Sequence, residues 1–209
     1  MRVVAMSSSY GTGGSIIAPA LAERLDIPLL HHIRIEHRDE EEMDDVISEG
    51  PTAGEDLTRN LWERILDAFA SMPVEHGMVP TSVPADASLR VKSEVEERIR
   101  AFADEPGGGL VRGWASSVVL PDAFHVLLDG PIEARARQGA TIENIDIATA
   151  RKRLEKSGAV RRVYWKRLYN RDWLDKNSFH MCLDTTAITP ESAVEIIATA
   201  AEAFWSQHG

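Results

Sequence analysis

The sequence predicts an α/β protein, a parallel β-sheet with helices packed on both faces. Three observations predict it. The chain opens on a strand, a glycine-rich loop and a helix start, all within Met1 to Ala18. Short apolar runs then alternate with stretches of helical periodicity as far as the C-terminus, the pattern of strands joined by crossover helices. The 209 residues, 44% of them hydrophobic, suit one domain, or one core with inserted pieces.

Taken in order, Val3 to Met6 reads as a short buried strand. Ser15 to Leu25 follows as an amphipathic helix, with Ile16, Ile17, Ala20, Leu21 and Leu25 at helical spacing. Ile27 to Leu30 is a second short strand. Glu36 to Asp45 is acidic and reads as a solvated helix face or loop, with no diagnostic metal spacing. Leu57, Leu61, Ile65 and Phe69 predict a helix, and Pro73, Pro80 and Pro84 a loop-rich stretch after it. Val91, Val95, Ile99 and Phe102 put Ser88 to Phe102 in a helix, which Asp104 to Gly109 breaks.

Leu110-Val111 enters the sheet, and Phe124 to Leu128 is a further strand. Pro131 opens a helix at its first position, where a missing N–H costs nothing. Two helical runs come next, about Asn144 to Ser157 and Ala159 to Tyr169. Phe179 to Leu183 is the last strand. Pro190 to Trp205 is the last helix, with Thr189 as its N-cap.

The N-terminal loop carries the most chemistry. Laid on G-x-x-x-x-G-K-[ST], Ser8 stands at the first glycine, Gly13 at the second, Gly14 at the lysine and Ser15 at the Ser/Thr. A strand thus delivers a flexible turn to a helix N-terminus, where free N–H groups and the helix dipole hold anions. The lysine that neutralises phosphate is missing. Nine bases between Arg151 and Arg171 face Glu155 alone, a local charge of +8 in a chain of net charge −10. Arginine forks bind phosphate oxygens bidentately. An arginine-rich helical hairpin here, with Arg161 and Arg162 foremost, stands in for the lysine; a solvated basic face is the plainer alternative.

Composition excludes several classes. No apolar run reaches the roughly 20 residues of a membrane span, and the N-terminus lacks a signal-peptide pattern. Cys182 is the single cysteine, so no internal disulfide forms, which suits a reducing cytoplasm. Its apolar run places it in the core. The acidic total argues against non-specific nucleic-acid binding. His31, His32 and His37 lack zinc-helix spacing, and His125 and His180 read as structural residues within strands. Asp129 and Asp184 end apolar strands and so face the ligand edge of such a sheet, as functional groups or as caps.

Three ordered segments carry a resemblance. The first is Ser9 to Ala18, a tyrosine followed by G-x-G-G and a helix. The second runs through Arg100 to Gly107, Arg112-Gly113, Val118 to Ala123 and Val126 to Asp129. The third joins Ala150 to Lys156, Tyr169 to Trp173 and Leu183 to Thr186. With these, the chain resembles the nucleoside monophosphate kinases, most closely cytidylate kinase and its cytidylate kinase-like relatives. The resemblance implies a P-loop kinase fold: a five-stranded parallel sheet flanked by helices, an NMP-binding insertion and a helical lid. The core then falls at about 1–30, 104–143 and 178–209, the insertion at about 31–103 and the lid at about 144–177.

It further implies transfer of the ATP γ-phosphoryl group to CMP or dCMP with Mg²⁺. Tyr10, Gly11, Thr12, Gly13, Gly14, Ser15 and Ile16 would wrap the donor phosphates, Ser15 nearest the metal. Arg161, Arg162 and Arg167 would be lid arginines on the phosphates. Arg135 and Arg137 follow the fourth strand and contact the donor nucleotide, or are exposed helix residues. Arg34, Arg38, Arg90, Arg112, Arg171 and Asp172 are candidates for the acceptor. The chain departs from cytidylate kinase after the third strand, where Arg112-Gly-Trp-Ala115 replaces an Asp-Gly-Arg-Asp run. Trp114 there is a packing residue or a base platform. Two other readings stand beside the kinase: a nucleotide-binding regulatory protein of the same fold, and a binding module for nucleic acid or an acidic partner. Trp165, Tyr169 and Trp173 pack either a dimer or the lid; the oligomeric state is not legible.

Overall fold

The structure is a computed structural model and describes residues 1–30, 32–35, 45–48, 85–113 and 116–208. Five parallel strands form one sheet. They are β1 (Val3–Ser8), β2 (Leu29–Leu30), β5 (Gly109–Arg112), β6 (Phe124–Asp129) and β7 (Met181–Asp184). Their order is β2-β5-β1-β6-β7. β3 (His32–Ile35) and β4 (Asp45–Ser48) form a separate antiparallel ribbon, with His32 opposite Ser48. That ribbon was not predicted, because each strand is four residues long and shows no sustained alternation.

β1 lies at the centre, and its run of apolar residues is what a strand covered on both faces needs. Val4 and Met6 point to one side, where α1 (Gly14–Leu25) and α6 (Pro190–His208) pack. Val3 and Ala5 point to the other, against Val95 and Ile99 of α2 (Ala85–Ala103) and Val119 of α3 (Ser116–Val119). The α1 side holds Ile17, Leu21, Leu25, Ile197 and Trp205, all buried. Burying side chains of this size stabilises the fold by about 1.5–3 kcal/mol each. Ile16 and Ala20, predicted for the apolar face, are exposed instead. The buried stripe runs one residue further round the helix, through Ile17, Ala18, Leu21 and Ala22.

α4 (Ile132–Glu143) and α5 (Ile147–Tyr169) complete the chain's described helices. Pro131 is the N-cap of α4, one position before the first helical residue where the sequence placed it. The predicted helical hairpin at 144–169 is a single 23-residue helix, α5, capped by Asp146 accepting from the Thr149 N–H. Gly158 sits inside it with open space around its Cα. One glycine costs only about 1 kcal/mol in a helix, so it does not break the run. Thr189 accepts from the Ser192 N–H as the N-cap of α6, with Pro190 at the first position.

Cys182 is exposed rather than in the core. β7 is one of the two outer strands of the sheet, and alternate residues there face water: Cys182 and Asp184 are exposed while Met181 and Leu183 pack inward. The predicted helix at Leu57 to Phe69, the proline-rich stretch after it, most of the acidic segment, and Trp114 lie outside the described residues.

Candidate functional site

The carboxyl ends of β1, β6 and β7 converge on the loop Ser9–Gly13. Ser9 donates its N–H to Leu128 O at 2.9 Å and its hydroxyl to Asp129 Oδ1 at 2.8 Å. Thr12 turns its hydroxyl back to Ser9 O at 2.7 Å, and Thr185 from beyond β7 donates to Thr12 O at 2.7 Å. The loop is therefore tied to all three strand ends. Gly11 is required by close approach. Its φ is 78°, and a Cβ there would lie 2.0 Å from the Arg135 carbonyl oxygen. α1 begins at Gly14 with no side-chain cap and no acid in its first turn. Its free N–H groups are thus left to an anion. Ser15 is exposed in that turn.

Three arginines from three elements lie around this loop, Arg112 and Arg161 against Ser8 and Gly14 and Arg135 beside Asp129. Arg112 ends β5 and is buried at 6% exposure. Arg135, in the first turns of α4, donates from Nε to Gly130 O at 2.9 Å and lies 3.5 Å from Asp129 Oδ1. Arg161 of α5 donates from Nη1 to the Ser8 carbonyl and lies over the Trp173 ring, 5.4 Å from its centroid.

Burial acts on all three, and neighbouring like charge on Arg112 and Arg161. The Arg112 guanidinium is pushed down to about 10 by burial and then by Arg161. Arg161 is pushed down to about 10 by burial and then by Arg135. Arg135 is lowered by burial, with Asp129 opposing the shift. Asp129 lies beside Arg135, and the positive charge gathered here by Arg112, Arg135 and Arg161 suits an anion.

A second tie joins loop and helices. The Tyr10 hydroxyl donates to Glu143 Oε2 at 2.9 Å, and Arg153 donates to the same oxygen at 2.5 Å. Burial, then the Glu143 contact, holds the Tyr10 phenol well above its ordinary range. Gly139 lies beneath the Tyr10 ring. Sequence reasoning missed Glu143. It lies 133 positions from Tyr10, and no local pattern announces a contact at that range.

The remaining candidates divide by position. Arg137 and Arg162 are exposed on their helices; Arg135 and Arg161 turn inward because each helical position rotates the side chain by about 100°, which separates 161 from 162 by one such step and 135 from 137 by two. Arg135 is therefore not the exposed helix residue that was the alternative. Arg171 and Asp172 lie exposed after α5, and Asp172 accepts from the Leu174 N–H at 3.1 Å within its own turn. Ile16 is exposed beside the loop. Arg34 lies on β3, Arg90 on α2 and Arg167 on α5, but their side chains, and Arg38 altogether, lie outside the described residues. The basic stretch is also less unbalanced than its sequence implies. Arg151 pairs with Glu133 at 2.6 Å and Arg153 with Glu143, both on α4. Trp165 and Trp173 are buried together against Val118, so the aromatic residues pack within the chain.

The loop suits phosphate by its own geometry: an uncapped helix start, no nearby first-turn acid and three arginines. Among the described residues no group of three or more His, Cys, Asp or Glu side chains could hold a metal ion. A cation there would depend on phosphate oxygens, water and the Ser15 hydroxyl, a donor set that suits Mg²⁺. No helix among the described residues is long and apolar enough to cross a membrane.

A five-stranded parallel sheet flanked by helices, with a glycine-rich loop leading from its central strand into a helix, defines a P-loop kinase fold. A family model described as the cytidylate kinase-like family matches residues 3–187, and the chain belongs to that family. Membership supports phosphotransferase activity on nucleotides, chemistry for which P-loop kinases generally use ATP and Mg²⁺. Comparison with curated proteins gives no match. Among solved structures, an uncharacterized protein from Eubacterium ventriosum ATCC 27560 is similar at TM-score 0.63 and 18% identity, over 96% of this chain and 98% of its own. A gluconokinase from Sinorhizobium meliloti 1021 aligns at TM-score 0.48 and 14% identity, covering 99% and 97% of the two chains. A shikimate kinase from Acinetobacter baumannii, in complex with shikimate, aligns at TM-score 0.48 and 10% identity, covering 96% and 93%.

Proposed function

We propose that this protein transfers the γ-phosphoryl group of ATP to a nucleoside monophosphate, CMP or dCMP foremost. The observation that carries the reading is the approach of Arg112 and Arg161 to the Ser8–Ser15 loop, with Arg135 beside Asp129, the carboxylate that accepts from Ser9. Phosphoryl transfer asks for alignment and positive charge more than for covalent chemistry. In this reading the N–H groups of Gly11 and of Gly13 to Ser15 hold the donor phosphates and Ser15 offers its hydroxyl to the metal. Arg161 closes over the transferring group from α5, with Arg162 and Arg167 on the same helix. The residues about 31–103 hold the acceptor, with Arg34, Arg38 and Arg90 as its phosphate ligands, and about 144–177 act as the lid. Bound Mg-ATP supplies the phosphoryl group and the neutralising cation.

The Arg112-Gly-Trp-Ala115 segment after β5 holds no acid, and a monophosphate acceptor does not require a general base there. Its phosphate has lost most of its second proton near neutral pH, so the attacking oxygen needs no general base. A sugar or alcohol hydroxyl would need one. The test is coupled ADP release from Mg-ATP across ribo- and deoxyribonucleoside monophosphates. Turnover with a cytidine monophosphate above the other acceptors supports the proposal.

Gly14 at the lysine position favours a second reading, a nucleotide-binding regulatory protein that has lost catalysis. Protein that binds ATP but turns over no acceptor would support that reading instead.

A further inference from the structure

Ser8 and Gly14 are linked by space. A Cβ built on Gly14 would lie 2.6 Å from Ser8 Oγ and 2.8 Å from Ser8 Cβ. A serine rotamer can move Oγ, but it cannot move Cβ. With a side chain at position 8, position 14 must therefore be glycine, and the loop cannot carry a lysine there. The next nearest atom after those of Ser8 is Arg112 Nη1, 3.8 Å from that hypothetical Cβ. Arg112 is buried and comes from the end of β5, the strand paired directly with β1.

We propose that Arg112 delivers to the donor phosphates the positive charge that a lysine at position 14 delivers in G-x-x-x-x-G-K-[ST], and that Ser8 enforces the exchange. This deepens the reading above and rests on its phosphate-binding loop, not on the acceptor's identity. It moves Arg112 from the acceptor side, where the resemblance had put it, to the donor side. The two halves of the exchange are coupled: restoring lysine requires Ser8→Gly, and once lysine is restored Arg112 loses its task. Arg161 remains a separate, outer cation, since it bonds the Ser8 carbonyl rather than approaching Gly14.

The test uses metal-free inorganic tripolyphosphate and ATP as calorimetric probes, with no acceptor present, and circular dichroism to verify folding. Arg112→Met, which removes a buried charge but keeps an apolar stem, should weaken both probes by about tenfold or more, the scale of a lost charge-assisted hydrogen bond. Ser8→Gly with Gly14→Lys, added to Arg112→Met, should recover most of that loss. Gly14→Lys alone should lose binding or fold, for want of space. Unchanged tripolyphosphate affinity in Arg112→Met, with a raised KM for the acceptor instead, overturns the proposal whatever the kinase assay gives. So does a folded triple variant as weak as Arg112→Met, or a Gly14→Lys variant that folds and binds like the native chain. Should the triple variant fail to fold, Arg112→Met decides alone.

Discussion

Arg161 Nη1 donates to the main-chain carbonyl of Ser8, which joins α5 to the loop where β1 ends. The bond spans 153 positions and uses an acceptor that phosphate would not compete for. The guanidinium also has the Trp173 face beneath it, so two contacts orient it over the loop. An arginine held in this way is ready to meet developing charge with little reorganisation.

Arg161→Ala is expected to lower kcat by about 10³-fold, the low end of what a positioned arginine contributes to phosphoryl transfer. Arg162→Ala, on the exposed face, is expected to cost far less. Steady-state turnover of the two variants side by side checks the difference.

Burial first, and then like charge for Arg112 and Arg161, disfavours the charged guanidinium groups here, and a bound anion would offset that cost. Pyrophosphate should therefore raise the melting temperature. At 100 times its Kd the expected rise is roughly 5–10 °C for a chain of this size. Chloride at equal ionic strength should not reproduce it, and Arg161→Ala should shrink it. For the protein itself the sign with pH is fixed. Arg112 and Arg161 bind fewer protons folded than unfolded only above about pH 10. The cost of burying their charge, with the smaller repulsion, is thus fully present below that value and is relieved as pH rises through it. Across pH 6–9 these two groups add no slope.

Gly11→Ala should be severe. Its Cβ would meet the Arg135 carbonyl at 2.0 Å, in a backbone conformation that disfavours side chains. Strain and displacement together are expected to cost at least about 2 kcal/mol. Chemical denaturation measures the loss, and nucleotide affinity should fall with it.

Far from the loop, His180 Nδ1 accepts the His125 N–H at 3.0 Å, and the His180 ring packs against Phe124, His125 and Phe204. Burial first, then His125 and His208, push its pKa below the ordinary value. A base lowered in the folded state makes stability full above its unfolded pKa of about 6.5 and weaker as pH falls below it. Melting temperature against pH should show that decline, and His180→Asn, which keeps an acceptor that does not titrate, should flatten it.

Much of this was legible in the sequence, for identifiable reasons. The buried run Val3 to Met6, the caps Thr189-Pro190 and the glycine-rich loop are local signals, and the sheet follows from their order. The site was legible in part: the glycine at the lysine position flagged missing charge, and the basic stretch offered some. Which arginines turn inward was not legible, because Arg135 and Arg137, or Arg161 and Arg162, differ only in helical phase. The coupling of Ser8 to Gly14, and of Tyr10 to Glu143, depends on side chains meeting in three dimensions. Gly158 misled the reading of α5 because a glycine inside a long helix and one between two helices look alike locally.

The most direct measurement follows the label from [γ-³²P]ATP in the presence of Mg²⁺ and CMP or dCMP. The account predicts that it appears in the nucleoside diphosphate, and that Arg161→Ala nearly abolishes the transfer. Label that stays in ATP, or passes only to inorganic phosphate with every nucleoside monophosphate tried, would contradict it.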